Sequence, residues 1–140
     1  MVVANLAKQI ALTAPDAFIL IITNPVNSLV PVVAEIMKSE NAFNPRKLFG
    51  VTTIDVIRAF TFAAEATSTV PSEAFVIPVV GGHSSKTIVP LFSLSNPPLN
   101  IDEEKLAALT MKVQLGGDEI MKAKKDNGSA TLSMAYAAYK

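Results

Sequence analysis

The chain contains no cysteine, no tryptophan and a single histidine among its 140 residues. The missing cysteines exclude a disulfide framework and a thiolate metal site, and one histidine provides too few nitrogen ligands for a typical zinc centre. Twelve basic residues balance twelve acidic ones, so no net charge attracts nucleic acid or an anionic membrane surface. We therefore expect no metal site, no nucleic-acid partner and no membrane partner.

Long apolar runs are absent as well, so the sequence predicts no segment that crosses a bilayer. The first residues lack the basic start, apolar stretch and small-residue cleavage site of a signal peptide. The six glycines form no glycine-rich dinucleotide loop anywhere in the chain. Half of the residues are hydrophobic, which at this length is enough to bury a core without metals or disulfides.

The first third of the chain alternates helix-period and strand-like segments, which favours an α/β fold. A continuous apolar run at 17–23 is typical of a parallel strand that helices cover on both faces. The next helix is expected to begin near Asn27 or Ser28, either of which could cap it, with Pro31 in its first turn. The other elements predicted in this part are a helix at 3–13 and a short strand at 48–51.

The remaining residues predict a helix, two strands and two further helices. Prolines in both strands suggest bulged or edge strands. Asn96-Pro97-Pro98 can continue neither regular structure and is the best candidate for an internal boundary. The predicted elements are helices at 53–66, 102–124 and 130–140, and strands at 74–80 and 87–93, which the loop 81–86 joins.

Three side chains in this part could act together on a 2-oxo acid. Asp55 and Arg58 are three residues apart on the predicted helix, so they emerge on one face. An arginine fork can hold a substrate carboxylate by two parallel hydrogen bonds. His83, after two glycines, could exchange a proton with a carbonyl oxygen, and a nearby carboxylate would orient its ring and favour the imidazolium.

Each of these features also has a simpler interpretation. An Asp-x-x-Arg pair is usually a solvated surface pair that contributes about 0.3–0.5 kcal/mol. A lone histidine after two glycines is more often a loop residue that bonds to backbone. Asn-Pro after a strand, as at Asn24-Pro25, is ordinarily a turn. Taken one at a time, the motifs are therefore weak.

Together, four motifs occur in the order and at the separations of one family. They are Asn24-Pro25-Val26-Asn27, Gly50-Val51-Thr52-Thr53-Ile54-Asp55-Val56-Ile57-Arg58, Gly81-Gly82-His83-Ser84 and Gly128-Ser129-Ala130-Thr131. In these four motifs the chain resembles the mitochondrial and enteric-bacterial type of malate dehydrogenase, within the lactate/malate dehydrogenase family. The resemblance covers essentially the whole chain but only the middle of such an enzyme, so we expect an internal fragment.

The resemblance implies an α/β fold in which the end of a Rossmann-type parallel sheet joins the first part of an α+β substrate domain. Residues 1–50 would belong to the dinucleotide-binding domain and residues 51–140 to the catalytic domain. It also implies NAD as cofactor, malate or oxaloacetate as substrate and a homodimer. The compartment would be the mitochondrial matrix in a eukaryote and the cytoplasm in a bacterium.

The resemblance also assigns roles to single residues. His83 would be the acid/base, Asp55 its catalytic partner and Arg58 the carboxylate clamp. Asn24 would bind substrate and border the nicotinamide. Val51 and Met134 match positions that line the nicotinamide pocket, although both would also pass as core residues.

Two departures from the family pattern leave alternatives open. Many relatives have glycine where this chain has Ser85, and a side chain there could alter the backbone beside His83. The glycine fingerprint and the loop with two substrate-binding arginines are missing, so we expect the isolated chain to be inactive. Loss of the nucleotide-binding strands would expose a sheet edge beside the strand at 17–23, so we also expect the isolated chain to be poorly soluble. The alternatives are a non-catalytic fold fragment or association module, and a lactate-type 2-hydroxy acid dehydrogenase.

Overall fold

A computed structural model of the chain describes residues 2–69, 75–125 and 127–140. The chain divides into two compact units, residues 1–51 and 52–140. Both units combine α-helices with short strands, as the predicted α/β class requires. The α/β prediction is therefore confirmed.

The first unit packs two helices against a short parallel strand pair. Strand β1 (Ile19–Ile21) pairs with β2 (Leu48–Gly50) in parallel. Helices α1 (Val2–Thr13) and α2 (Val26–Ser39) cover one face of this pair, because both place apolar residues at helical spacing. The buried core consists of Ala7, Ala11, Ile19, Ile21, Leu29, Val33 and Met37.

Three details of this unit differ from the predictions. The strand predicted at 17–23 is shorter, and Leu20 in its middle is 48% exposed, so within this unit only one of its faces is covered. Neither Asn27 nor Ser28 caps α2, because the helix begins at Val26 with Pro25 at the N-cap and no side-chain cap bond. Pro31 thus lies in the second turn, where proline removes one main-chain hydrogen bond.

The second unit places helices beside an antiparallel strand pair. Strands β3 (Val79–Gly81) and β4 (Ile88–Pro90) pair antiparallel. Helix α3 (Thr53–Ala66) packs against α4 (Glu103–Ala123) and α5 (Leu132–Tyr139), within two residues of the predicted bounds. The core consists of Ala59, Ala63, Ile77, Ile88, Phe92, Leu109 and Val113.

The strands of this unit are shorter than predicted. The strand predicted at 74–80 begins at a residue outside the described part, and regular pairing covers only Val79–Gly81. Single 3₁₀ turns at Ser85–Thr87 and Phe92–Leu94 flank β4. Asn96 forms a two-bond bridge with Val76 inside the unit, so the boundary predicted at Asn96-Pro97-Pro98 is wrong.

Among the described residues, no helix has both the length and the apolar character that a membrane crossing requires.

Candidate active site

Asp55 is a buried carboxylate in the first turn of α3. Asp55 is 1% exposed, and its main-chain N–H donates to the Thr52 carbonyl at 3.0 Å. The unpaired N–H groups of a helix N-terminus stabilise negative charge, and this effect is strongest in the first turn. The Asp55 side chain thus lies beside the N-terminal main-chain dipoles of α3 and has little contact with solvent.

His83 binds directly to this carboxylate. Its Nδ1 lies 2.5 Å from Asp55 Oδ2, and both side chains are almost completely buried, 11% and 2% exposed. An ionised carboxylate can only accept, so Nδ1 carries the hydrogen in this pair. Histidine Nε2 is then the ring nitrogen that can exchange a proton with a second group.

The loop that holds His83 is tied to itself by short hydrogen bonds. Gly82 N–H donates to the Thr87 carbonyl at 2.9 Å, and the Thr87 N–H and hydroxyl both donate to the Ser84 carbonyl. Gly81 has a φ of +87°, and a Cβ added there would overlap the Thr87 carbonyl oxygen. Glycine is therefore required at Gly81, and the loop geometry depends on it.

Ser85 lies two residues after His83 with a φ of +43°, in the left-handed region that favours glycine. This is the position where the resemblance predicted a possible change of the backbone. The serine adopts the conformation that glycine would adopt freely, at a cost of about 1–2 kcal/mol. The 3₁₀ turn Ser85–Thr87 forms with Ser85 in this conformation.

Arg58 lies on the other side of Asp55. Its Nη1 is 3.5 Å from Asp55 Oδ1, at the outer limit of a hydrogen bond, and its side chain is 11% exposed. The stem packs over Gly116 of α4, where an added Cβ would lie 3.0 Å from Arg58 Nε and 3.1 Å from Cδ. The Arg58 side chain thus lies between the Asp55 carboxylate and the part of the α4 surface where Gly116 has no side chain.

Burial lowers the pKa of Arg58, and the charge of Asp55 together with its hydrogen bond partly opposes this shift. An arginine guanidinium nevertheless stays protonated in proteins. Asp55 therefore contacts a permanent cation through one oxygen and a titratable ring through the other. Such a trio can bind an anionic carboxylate and move one proton beside it.

The structure brings together three of the six predicted site residues, namely Asp55, Arg58 and His83. Asn24 is exposed and lies three residues after the end of β1 in the first unit, and Val51, 7% exposed, follows β2 in the same unit. Met134 lies on α5 of the second unit and is half-buried.

Two residues that the sequence did not single out support this part of the second unit. Gly116 admits the Arg58 stem, and Gln114 Nε2 donates to the Ile88 carbonyl at 2.9 Å, which joins α4 to β4. The pair Gly116-Gly117 was a usable signal, because glycine inside a helix costs about 1 kcal/mol relative to alanine and calls for a packing reason. Gln114 gave no comparable signal.

Within the described residues, no group of three or more histidine, aspartate or glutamate side chains could hold a metal ion. Every buried side-chain nitrogen or oxygen of the described residues has a hydrogen-bond partner.

Known proteins similar to this chain point to one family. Residues 52–140 match the lactate/malate dehydrogenase alpha/beta C-terminal domain. The mitochondrial malate dehydrogenase of Macaca fascicularis is 50% identical over 136 residues, 97% of this chain and 40% of the relative. The glyoxysomal malate dehydrogenase of Oryza sativa subsp. japonica is 48% identical over 139 residues, 99% of this chain and 39% of the relative. The chain spans about two fifths of the length of these relatives.

Solved structures share the fold. The malate dehydrogenase of Cryptosporidium parvum superposes with a TM-score of 0.87 at 25% identity, over 99% of this chain and 45% of that one. The lactate dehydrogenase of Eimeria maxima with NADH and oxamate superposes with a TM-score of 0.85 at 21% identity, over 98% of this chain and 43% of that one. The predicted family is confirmed, and the chain belongs to the lactate/malate dehydrogenase family.

Proposed function

We propose that the protein is an NAD-dependent dehydrogenase that interconverts malate and oxaloacetate. One observation carries the proposal: a single buried carboxylate, Asp55, contacts both the histidine and the arginine. A 2-oxo acid presents a carboxylate next to a carbonyl, and the trio offers a cation and a proton donor next to each other. Family membership supports the same reaction class.

In the reducing direction, Arg58 holds the substrate carboxylate through its fork, which fixes the plane of the carboxylate as well as its position. His83 then donates the Nε2 proton to the carbonyl oxygen while the carbonyl carbon accepts a hydride. Asp55 keeps the ring oriented and stabilises the imidazolium before the transfer. In the oxidising direction, neutral His83 takes the hydroxyl proton back at Nε2.

The bound nicotinamide would supply or accept the hydride. Asn24 fits a contact with it, because its exposed amide follows a parallel strand at the end where open α/β sheets place ligands. Val51 and Met134 would border the ring with apolar atoms. These three roles rest on the motif order, as do the proposed extents of the dinucleotide-binding part (1–50) and the catalytic part (51–140).

Malate is proposed over lactate because the relatives at about half identity are named malate dehydrogenases. The same relatives are named mitochondrial and glyoxysomal, which supports an organelle in a eukaryote. A homodimer follows from the resemblance alone. A lactate-type activity is the second candidate, because solved lactate dehydrogenases share the fold.

The experiment measures NADH oxidation by the complete gene product with oxaloacetate and, separately, with pyruvate. We expect turnover with oxaloacetate and little with pyruvate. The reverse preference would keep the family and overturn the substrate, and no turnover with either would overturn the proposed function. The 140-residue chain, assayed in parallel, is expected to be inactive, because its sequence has no glycine-rich loop for the cofactor pyrophosphate.

Arg58→Lys tests the clamp in the same assay. Lysine keeps the charge but loses the planar fork, so KM for oxaloacetate should rise about 10-fold to 100-fold, the loss of a charged hydrogen bond. Because Arg58→Lys leaves His83 and Asp55 in place, kcat should fall much less than KM rises. A KM that stays unchanged would show that Arg58 does not hold the substrate carboxylate.

A further inference from the structure

The connection between α4 and α5 contains a sequence feature that the proposed function does not use. Eight asparagines occur in the chain, and Asn127 is the one that glycine follows. An asparagine amide can react with the main-chain nitrogen of the next residue when no side chain hinders the approach. Glycine is the residue that allows this most readily, because it has no Cβ and accepts most backbone conformations.

The structure places this pair at the protein surface. Asn127 and Gly128 are both exposed, and Gly128 lies in non-helical backbone at a φ of +102°. A Cβ added at Gly128 would meet no atom within 4 Å, so the space around its nitrogen is open. Within the described residues, the Gly128 N–H is not among the hydrogen-bonded groups. Exposed loops of this kind tolerate rearrangement of the backbone.

We propose that Asn127 is a site of spontaneous deamidation in the folded protein. The Gly128 main-chain nitrogen attacks Asn127 Cγ, a C–N bond forms and the Cγ–Nδ2 bond breaks. The proton of the Gly128 N–H ends on the departing side-chain nitrogen, which leaves as ammonia. The product is a five-membered succinimide. Water then adds to one of its two carbonyl carbons and opens the ring, which gives either aspartate or isoaspartate at 127. No oxidant, reductant or metal takes part.

Nearby lysines would reduce the electrostatic cost of the carboxylate that deamidation creates at position 127. Lys124 Nζ reaches across the connection and donates to the Ser129 carbonyl at 2.7 Å, while Lys122 and Lys125 lie in the same short stretch. The C-terminal end of a helix disfavours negative charge and Asp126 precedes Asn127 in the sequence, but the three lysines outnumber this one acidic residue. The aspartate product is therefore expected to leave α4 in place.

The isoaspartate product has a stronger consequence. It carries the main chain through the former side-chain carbon, so the backbone between α4 and α5 gains one methylene. Thr131, the residue before α5, would then be displaced relative to Lys124. This chemistry does not depend on the dehydrogenase activity, and its primary readout is mass rather than turnover.

The test is to incubate the purified complete protein at mildly alkaline pH and body temperature for days, and to follow peptides by mass spectrometry. Replacement of an amide NH2 by OH gives a defined mass gain, and fragmentation assigns it to a residue. Two other exposed asparagines serve as internal controls in the same sample. Asn41 precedes Ala42, whose N–H donates to the Met37 carbonyl at 2.8 Å, and Asn100 precedes the branched Ile101.

We expect Asn127 to convert several-fold faster than Asn41 and Asn100, at a rate within a few-fold of the same residue in urea-unfolded protein. Asn127→Gln should abolish the mass gain in its peptide, because glutamine would need a six-membered ring. Equal conversion of the three asparagines would overturn the proposal. So would a rate in the folded protein far below the rate in urea, because the fold would then protect the site.

Discussion

Asp55→Asn tests how much the buried carboxylate contributes to both stability and catalysis. Asparagine keeps the shape of the side chain but removes the charge between Arg58 and His83. The guanidinium, 11% exposed, would then be a nearly buried cation without a counter-charge. Breaking a buried pair in this way costs about 3–5 kcal/mol. The separation of 3.5 Å and the remaining solvent contact place the expected loss near the lower end, about 3 kcal/mol.

The assay is urea unfolding of the complete gene product followed by fluorescence or circular dichroism. With an m-value of about 1–3 kcal/mol/M, the midpoint should fall by about 1–3 M in urea. The activity of Asp55→Asn should also fall, by about 10²–10⁴-fold in kcat, because the imidazolium loses its stabilising partner.

A second substitution separates charge from shape. If the cost comes from the unpaired guanidinium, Arg58→Met in the Asp55→Asn background should restore part of the lost stability, because two buried charges are then absent together. Asp55→Asn with an unchanged midpoint would refute the reasoning. A double variant that is less stable than Asp55→Asn would refute it as well.

Three further predictions concern backbone and charge. Gly81→Ala should destabilise the protein by at least about 1–2 kcal/mol in urea unfolding and reduce turnover, because its φ is +87° and the new Cβ meets a main-chain oxygen. Gly117→Ala should raise the free energy of unfolding by up to about 1 kcal/mol. Gly116→Ala should raise it less, because the new Cβ would lie 3.0 Å from Arg58 Nε. Equal increases for the two variants would contradict this prediction. Hydrogen bonding from the N–H three residues on lowers the pKa of Asp102. The pKa of Asp102 is thus lower in the folded state than in the unfolded state, so its stabilising effect is present above the unfolded pKa and is lost as pH falls through the folded pKa. The difference in free energy of unfolding between the wild type and Asp102→Asn should therefore become smaller in acid. A difference that does not change with pH would contradict this prediction.

The helices could be predicted closely from the sequence, because their apolar periodicity is carried within each segment. Helix α3 begins and ends where the pattern places it, and the spacing of Asp55 and Arg58 put them on one face. Strand lengths could not be predicted, because the length of a strand depends on how many residues elsewhere in the chain pair with it. The apolar run at 17–23 forms a strand over three residues, because β2 pairs with those three.

The candidate site was predicted in part. The bond between Asp55 and His83 joins residues 28 positions apart, and no local periodicity encodes such a contact. The order of the motifs identified both residues, and the structure supplied the distance. The prediction that Asn27 or Ser28 caps α2 failed because Pro25, held in an extended conformation, already precedes the first helical residue.

The most direct test of the account is kcat for oxaloacetate reduction by the complete gene product and its His83→Gln variant. Glutamine can keep a hydrogen bond to Asp55 but cannot carry a proton at working pH, so structure is largely retained while acid catalysis is removed. We expect kcat to fall by about 10²–10⁴-fold with an unchanged circular dichroism spectrum. A variant that folds normally and retains the wild-type kcat would contradict the proposal that His83 delivers the proton.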